Sequence, residues 1–146
     1  MATFLRTLHP CRDCGKAAQI RSRRDIAFAT CPECRETRRL ESLLGGYDVR
    51  RTTAATKADK AAAITDRAAG WFEAASAACE VARFAVLVAG RTAEIRKKRR
   101  LGRIAEGRRK WAASALQQLA ALLGDERATW TGHLKLVPPD ARGRAG

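Results

Sequence analysis

The chain has 146 residues, 29 of them Lys or Arg against 15 Asp or Glu, for a net charge of +14 at pH 7. That length fits one ordinary domain or two small ones, and that charge attracts polyanions, nucleic acid ahead of anionic membrane. Aromatics at 5% exclude a large aromatic core, and apolar runs such as 85–89 are far too short to span a bilayer.

Residues 2–8 predict a short strand that leads into the first of two Cys-x-x-Cys pairs. Cys11-Arg-Asp-Cys14 is followed directly by Gly15, and sixteen intervening residues separate it from Cys31-Pro-Glu-Cys34. Four soft sulfur donors on two tight turns are the donor set of a closed structural Zn²⁺ site, with no position left for a catalytic water. Two reduced pairs, disulfides and a rubredoxin-type iron site are the alternatives. His9, two residues before Cys11, is surplus to a site that four cysteines complete. Gly15 suits a backbone that curls its N–H groups toward the thiolates. Between the pairs, 17–21 and 26–30 read as strands of a hairpin. Its turn, Ser22-Arg-Arg-Asp25, sets Arg21, Arg23 and Arg24 at an exposed tip. After Cys34, the basic segment carrying Arg35, Arg38 and Arg39 has Leu40, Leu43 and Leu44 at helical spacing, and Gly45-Gly46 is the predicted stop.

Knuckle, hairpin, knuckle and helix, over roughly residues 9–44, resemble the treble-clef and zinc-ribbon fingers, whose ligand positions Cys11, Cys14, Cys31 and Cys34 match. The resemblance implies a metal-dependent fold, in a group that includes nucleic-acid binders and protein adaptors alike. Cys-x-x-Cys-Gly, a spacer of this length, Cys-x-x-Cys and a basic helix are also similar to the zinc finger of DksA/TraR-type proteins. Those factors insert a coiled coil into the RNA polymerase secondary channel. Here the helical arm follows the finger instead of preceding it, and the predicted turn at 88–92 lacks that family's acidic tip.

Residues 47–53 read as a linker with a helix start at Thr52 or Thr53. From there to Ala89 no proline occurs. Ala61, Ile64, Ala68, Trp71, Ala75, Ala78, Ala82, Ala85 and Ala89 form a heptad seam, narrow enough for a partner helix to approach closely. Phe72, Cys79 and Val86 make a second stripe beside it, with Cys79 as a small buried hydrophobe. Gly90 is the predicted stop and Thr92 the next N-cap. A second helix then runs to Leu123, ended by Gly124, with an apolar line of Leu101, Ala105, Ala112, Ala115, Leu119 and Leu122 that Arg108 interrupts. Two such helices make either an antiparallel hairpin or one bent helix pairing with a second chain.

Residues 91–110 hold ten basic and two acidic side chains. At about 100° per residue, Arg96, Arg99, Arg100, Arg103 and Lys110 fall on one arc nearly opposite the apolar line, a cationic ridge suited to successive phosphates. Residues 125–130 predict one more helical turn bearing Trp130, and 131–146 a disordered tail.

The expected protein is mainly α: a four-cysteine zinc module with a short β-hairpin (1–46), a linker (47–53), an antiparallel helical-hairpin arm (54–130) and a tail. Cysteine usage and the absence of a signal-peptide pattern lead to a cytoplasmic expectation. No Ser/His/Asp, Cys/His, paired-carboxylate or phosphate-loop constellation is present, so no enzyme is expected. The expected partner is nucleic acid, DNA or RNA, held by phosphate contacts from Arg21, Arg23, Arg24, Arg38, Arg39, Arg96, Arg99, Arg100, Arg103 and Lys110. No aromatic stacking platform is evident, which argues against a single-strand binder. The alternative is an adaptor docking through its alanine seam, Phe72 or Trp130 on a polymerase, ribosome, or phage or plasmid assembly, or self-associating there.

Overall fold

The structure, a computed structural model, describes residues 7–124. The start of the predicted first strand, the turn at 125–130 with Trp130, and the tail lie outside these residues. The fold is mainly helical. Two short strands, β1 (Thr7–Pro10) and β2 (Ala17–Ile20), precede a 3₁₀ segment (Arg23–Phe28) and three long helices. These are α1 (Pro32–Lys60), α2 (Ile64–Arg91) and α3 (Ile95–Leu123). The chain divides into two compact units between Ser42 and Leu43, within α1.

In the first unit β1 pairs antiparallel with β2, in a register that sets Thr7 opposite Ile20 and Pro10 opposite Ala17. The hairpin therefore closes around the first cysteine knuckle. The predicted pairing of 17–21 with 26–30 is replaced: 26–28 belong to the 3₁₀ segment, and β2 takes its partner from upstream. A four-residue strand gains its hydrogen bonds from whichever neighbour the knuckle brings alongside, and the Cys11–Cys14 turn is the tighter connection. The small core behind the hairpin is Cys11, Ala18, Ile20, Ala29 and Cys31, with Cys34 packed against it.

The helices depart from expectation in two places. Gly45-Gly46 does not stop a helix, and 47–53 are helical; α1 runs through both. A glycine costs about 1 kcal/mol in a helix interior, which packing of the segment beyond offsets. The first arm helix, expected to run unbroken to Ala89, is split at Ala61–Ala63. No glycine or proline marks this break. Lys57 and Lys60 lie in the last turn of α1 and Asp66 in the first turn of α2, each favourable to its helix dipole. The reversal folds the end of α1 back on α2, so burial decides against alanine's helix propensity.

The second unit is an up-down-up arrangement of the rest of α1, α2 and α3. α2 buries two adjacent heptad rows. Ala75, Ala78, Ala82 and Ala85 are at most 3% exposed, and they extend the line of Trp71, which meets Trp111 of α3 with ring centroids 6.3 Å apart. This is the later part of the predicted seam, and α3 of the same chain packs on it; Ala61 falls in the break before α2 and Ile64 is 58% exposed. The other row is Gly70, Ala74, Ala77, Val81, Phe84 and Val88, all buried. It faces α1: Phe84 stacks on Tyr47 at 5.6 Å, and Gly70 lies against Ala58. Val86, assigned to the stripe beside the seam, is 49% exposed. On α3, Leu101, Ala105, Ala112, Ala115 and Leu119 are buried as the apolar line predicts, and Gly124 ends the helix at φ +71°. Arg108 interrupts that line to donate two hydrogen bonds to Asp48 of α1, at 2.8 and 3.1 Å. Arg51 donates to the same carboxylate at 2.8 Å and lays its guanidinium 4.8 Å from the Trp111 ring centre. The Arg108–Asp48 and Arg51–Trp111 contacts advance together, so α1 and α3 run parallel.

Candidate metal centre and basic surfaces

The Cys11–Cys14 knuckle turns on Gly15, whose φ of +72° is left-handed and free of strain only for glycine. The Cys11 N–H donates to the Lys16 carbonyl at 2.7 Å, and the Gly15 N–H to the Cys11 carbonyl at 2.8 Å. The second knuckle opens α1: Cys31 precedes its first residue, and the Cys34 N–H donates to the Cys31 sulfur at 3.5 Å. Two ion pairs tie the first knuckle to this helix. Arg38 donates to Asp13, one bond at 2.7 Å, and Lys16 donates to Glu33 at 2.8 Å.

The four sulfurs of Cys11, Cys14, Cys31 and Cys34 all lie within 4.8 Å of one another, and Cys14 and Cys31 are 3.6 Å apart. A tetrahedral ion with metal–sulfur bonds of about 2.3 Å needs sulfur–sulfur edges of about 3.8 Å. The donor set thus fits a tetrahedral ion with little movement. His9 is not part of the group. Among themselves the thiols share charge unequally. The backbone N–H of Cys31, opposed by desolvation and aided by those of Asp13 and Cys14, pulls the Cys11 thiol down to about 6. Cys34 is pushed up, first by its hydrogen bond with the Cys14 thiol, then by burial and the other sulfurs. A bound dication reverses that penalty, because it favours every thiolate at once.

The predicted basic residues fall into three groups. Arg38 is bound to Asp13 and Arg39 to Glu36 at 2.7 Å, so much of their charge is met within the finger. Arg21, Arg23 and Arg24 are exposed on the 3₁₀ segment and just before it. On α3, Arg96, Arg99, Arg100 and Arg103 are exposed and make no ion pair with any described residue. Lys110 joins that face but pairs with Glu106 at 2.9 Å. Sequence reasoning missed the Asp48–Arg51–Arg108 cluster; its one signal was an arginine within an apolar line. It also missed Phe28, 70% exposed beside the arginines of the finger, which was assigned to a strand. Among the described residues no helix is long and apolar enough to cross a membrane.

No protein-family model matches this chain, and no significant match was found among curated proteins or solved structures, so no family relationship supports the likeness to the DksA/TraR-type finger. The four-cysteine group stands on its own geometry.

Proposed function

We propose that this chain is a non-enzymatic, nucleic-acid-binding zinc-finger protein that contacts phosphates through arginine-rich surfaces. Zn²⁺ held by Cys11, Cys14, Cys31 and Cys34 serves as the staple of the first unit, whose core of five small side chains is too slight to fold it alone. The observation that carries the reading is the face of α3 bearing Arg96, Arg99, Arg100 and Arg103. These four occupy successive i, i+3, i+4 and i+7 positions opposite the buried line, exposed and without carboxylate partners among the described residues. Such a row spans about 10 Å of helix axis and presents several guanidinium groups to a phosphate backbone.

The test is anisotropy of a labelled DNA duplex and of an RNA duplex, titrated over a range of salt. Each phosphate contact contributes about 0.9 to the slope of log K against log salt on B-DNA. Arg99→Glu/Arg100→Glu/Arg103→Glu should weaken binding at least tenfold and lower that slope by about 3. Unchanged binding of both duplexes would refute the ridge.

One observation favours a second reading, the adaptor. Val86, Leu87 and Ile95, on either side of the α2–α3 turn, are 49%, 43% and 66% exposed. On that reading these side chains anchor a protein partner, since the alanine seam is already filled by α3. Replacing all three by serine would then abolish partner capture and leave duplex binding intact.

A further inference from the structure

We infer that the zinc module carries a single-strand binding site in which Phe28 stacks on a nucleobase while Arg12, Arg21, Arg23 and Arg24 hold the adjoining phosphates. The inference rests on the polyanion reading above and extends it to a second substrate class at a different surface.

Phe28 is the only Phe, Tyr or Trp among the described residues of the first unit, and it is left outside the core at 70% exposure. The core behind it is made of alanine, isoleucine and cysteine side chains. A module so short of apolar material gains from burying a phenylalanine, because large aromatics contribute most to core energetics. The 3₁₀ segment instead buries none of its residues, and Ile26 within it is 40% exposed.

The position of Phe28 is nonetheless fixed. Its carbonyl accepts from the Thr30 hydroxyl at 2.9 Å. The next residue, Ala29, is 3% exposed, and its carbonyl accepts from the Arg12 N–H at 3.0 Å. Cys31, a ligand of the candidate metal centre, lies three residues on. The ring thus stands on a metal-anchored frame, where little order has to be imposed on binding.

The surroundings of the ring select the partner. The Arg12 guanidinium lies over one face of the ring, 5.9 Å from its centre, which brings a cation to the site and leaves the opposite face for a base. Its one carboxylate neighbour among the described residues, Asp13, is 3.9 Å away and accepts its hydrogen bonds from Arg38. Arg23 and Arg24 lie five and four residues before Phe28, about 8–10 Å along a 3₁₀ axis, and neither they nor Arg21 pair with a carboxylate among the described residues. The nearby acid, Asp25, accepts from the Ser22 N–H at 3.1 Å in the capping box that opens the segment. An exposed ring with one guanidinium over a face and further exposed arginines on the same short segment suits a base flanked by phosphates. In a duplex the bases are already stacked on one another, so the unpaired strand is the form that offers a base to Phe28.

The experiment uses the full zinc-loaded chain and three labelled probes: a dT 12-mer, an abasic strand of equal length, and a duplex. Phe28→Ala should weaken dT binding about 5- to 100-fold, the range that loss of one base–aromatic stack produces. It should leave zinc content and duplex binding unchanged, while Phe28→Trp keeps dT binding. The unmodified protein should bind the abasic strand about as weakly as Phe28→Ala binds dT, a comparison that needs no variant to fold. Equal affinity for dT and abasic strands, or dT binding unmoved by Phe28→Ala, overturns the site. So does polyglutamate competing as well as dT, which would mark a surface for acidic protein. Loss of duplex binding in the α3 triple variant with no base effect at Phe28 would leave the ridge standing and remove this site alone.

Discussion

Replacing Gly70 by alanine sets two known effects against each other, and the structure decides the sign. Helix propensity favours alanine by about 1 kcal/mol in a helix interior. Against it stands the approach of α1. A Cβ at Gly70 would lie 2.7 Å from the Ala58 Cβ, 3.0 Å from the Ala58 Cα and 3.2 Å from the Ala54 carbonyl oxygen. Carbon pairs rest at about 3.5–4.0 Å, so the two helices must part by about 1 Å at this contact. None of the three atoms lies at the end of a flexible side chain, so nothing can swing aside. Overpacking of this kind costs about 1–3 kcal/mol, and the shift also loosens the row that holds Ala74 and Ala77. Less the propensity gain, the net expectation is a loss of up to about 2 kcal/mol, with Tm falling by about 4 °C or more for each 1 kcal/mol in a unit of this size. Gly102 and Gly107 of α3 have nothing within 4 Å of the same added atom, so alanine there should stabilise by about 0.5–1 kcal/mol. Helical circular dichroism through urea and thermal unfolding, with zinc present throughout, reads both signs. If Gly70→Ala raises the midpoint as Gly107→Ala does, the close α1–α2 packing argued above is wrong.

Further outcomes test the metal centre and the polar cluster. A strong chelator, or Cys31→Ser, should release the ion and unfold the first unit, lowering its amide-exchange protection to that of a coil, while the helical signal of the second unit survives; metal analysis with exchange mass spectrometry follows both. Ligation requires all four thiolates, and Cys34 is the hardest of them to ionise, so metal affinity should fall with falling pH and the ion should leave on acidification. Asp48 is held below the usual carboxylate range, first by its hydrogen bonds with Arg108 and then, against desolvation, by Arg51. Its contribution is therefore present above about pH 4 and lost as pH falls through the lower folded value. Asp48→Asn should lower stability at pH 7 and flatten the acid limb of the unfolding curve below about pH 4, whereas an unchanged limb would show that the cluster contributes nothing.

The four-cysteine donor set was legible from cysteine spacing because ligand chemistry is local: two knuckles and a spacer define a donor set before any tertiary contact is known. The apolar line of α3 and its glycine stop were legible for a similar reason, since a helix face repeats its pattern within a few turns. Three features were not. The strand partner of 17–20 depends on which segment the first knuckle returns, and β1 offered no alternation strong enough to compete on paper. The break at Ala61–Ala63 has no glycine, proline or side-chain cap to announce it; it exists because α1 gains more by packing on α2 than by continuing. The second row of α2 was misplaced, on Phe72, Cys79 and Val86 instead of Gly70, Ala74, Ala77, Val81, Phe84 and Val88, because alanine satisfies a buried seam and a neutral surface equally well and apolar residues lie on both sides of the first seam.

The same division holds for function. The sequence by itself determined which residues can ligate a metal and that α3 carries a one-sided row of arginines, because donor identity, charge and helical period are properties of the chain. Only the tertiary structure decided which of those charges are already met and what stands beside them. Arg38 is taken up by Asp13 and Arg108 by Asp48, whereas Arg96, Arg99, Arg100 and Arg103 are left without a partner among the described residues. Phe28, a strand residue on the sequence pattern, is set outside among arginines. An ion pair or an exposed ring depends on what the fold brings within a few ångströms, and residues 25 to 60 positions apart in the chain carry no local sign of it.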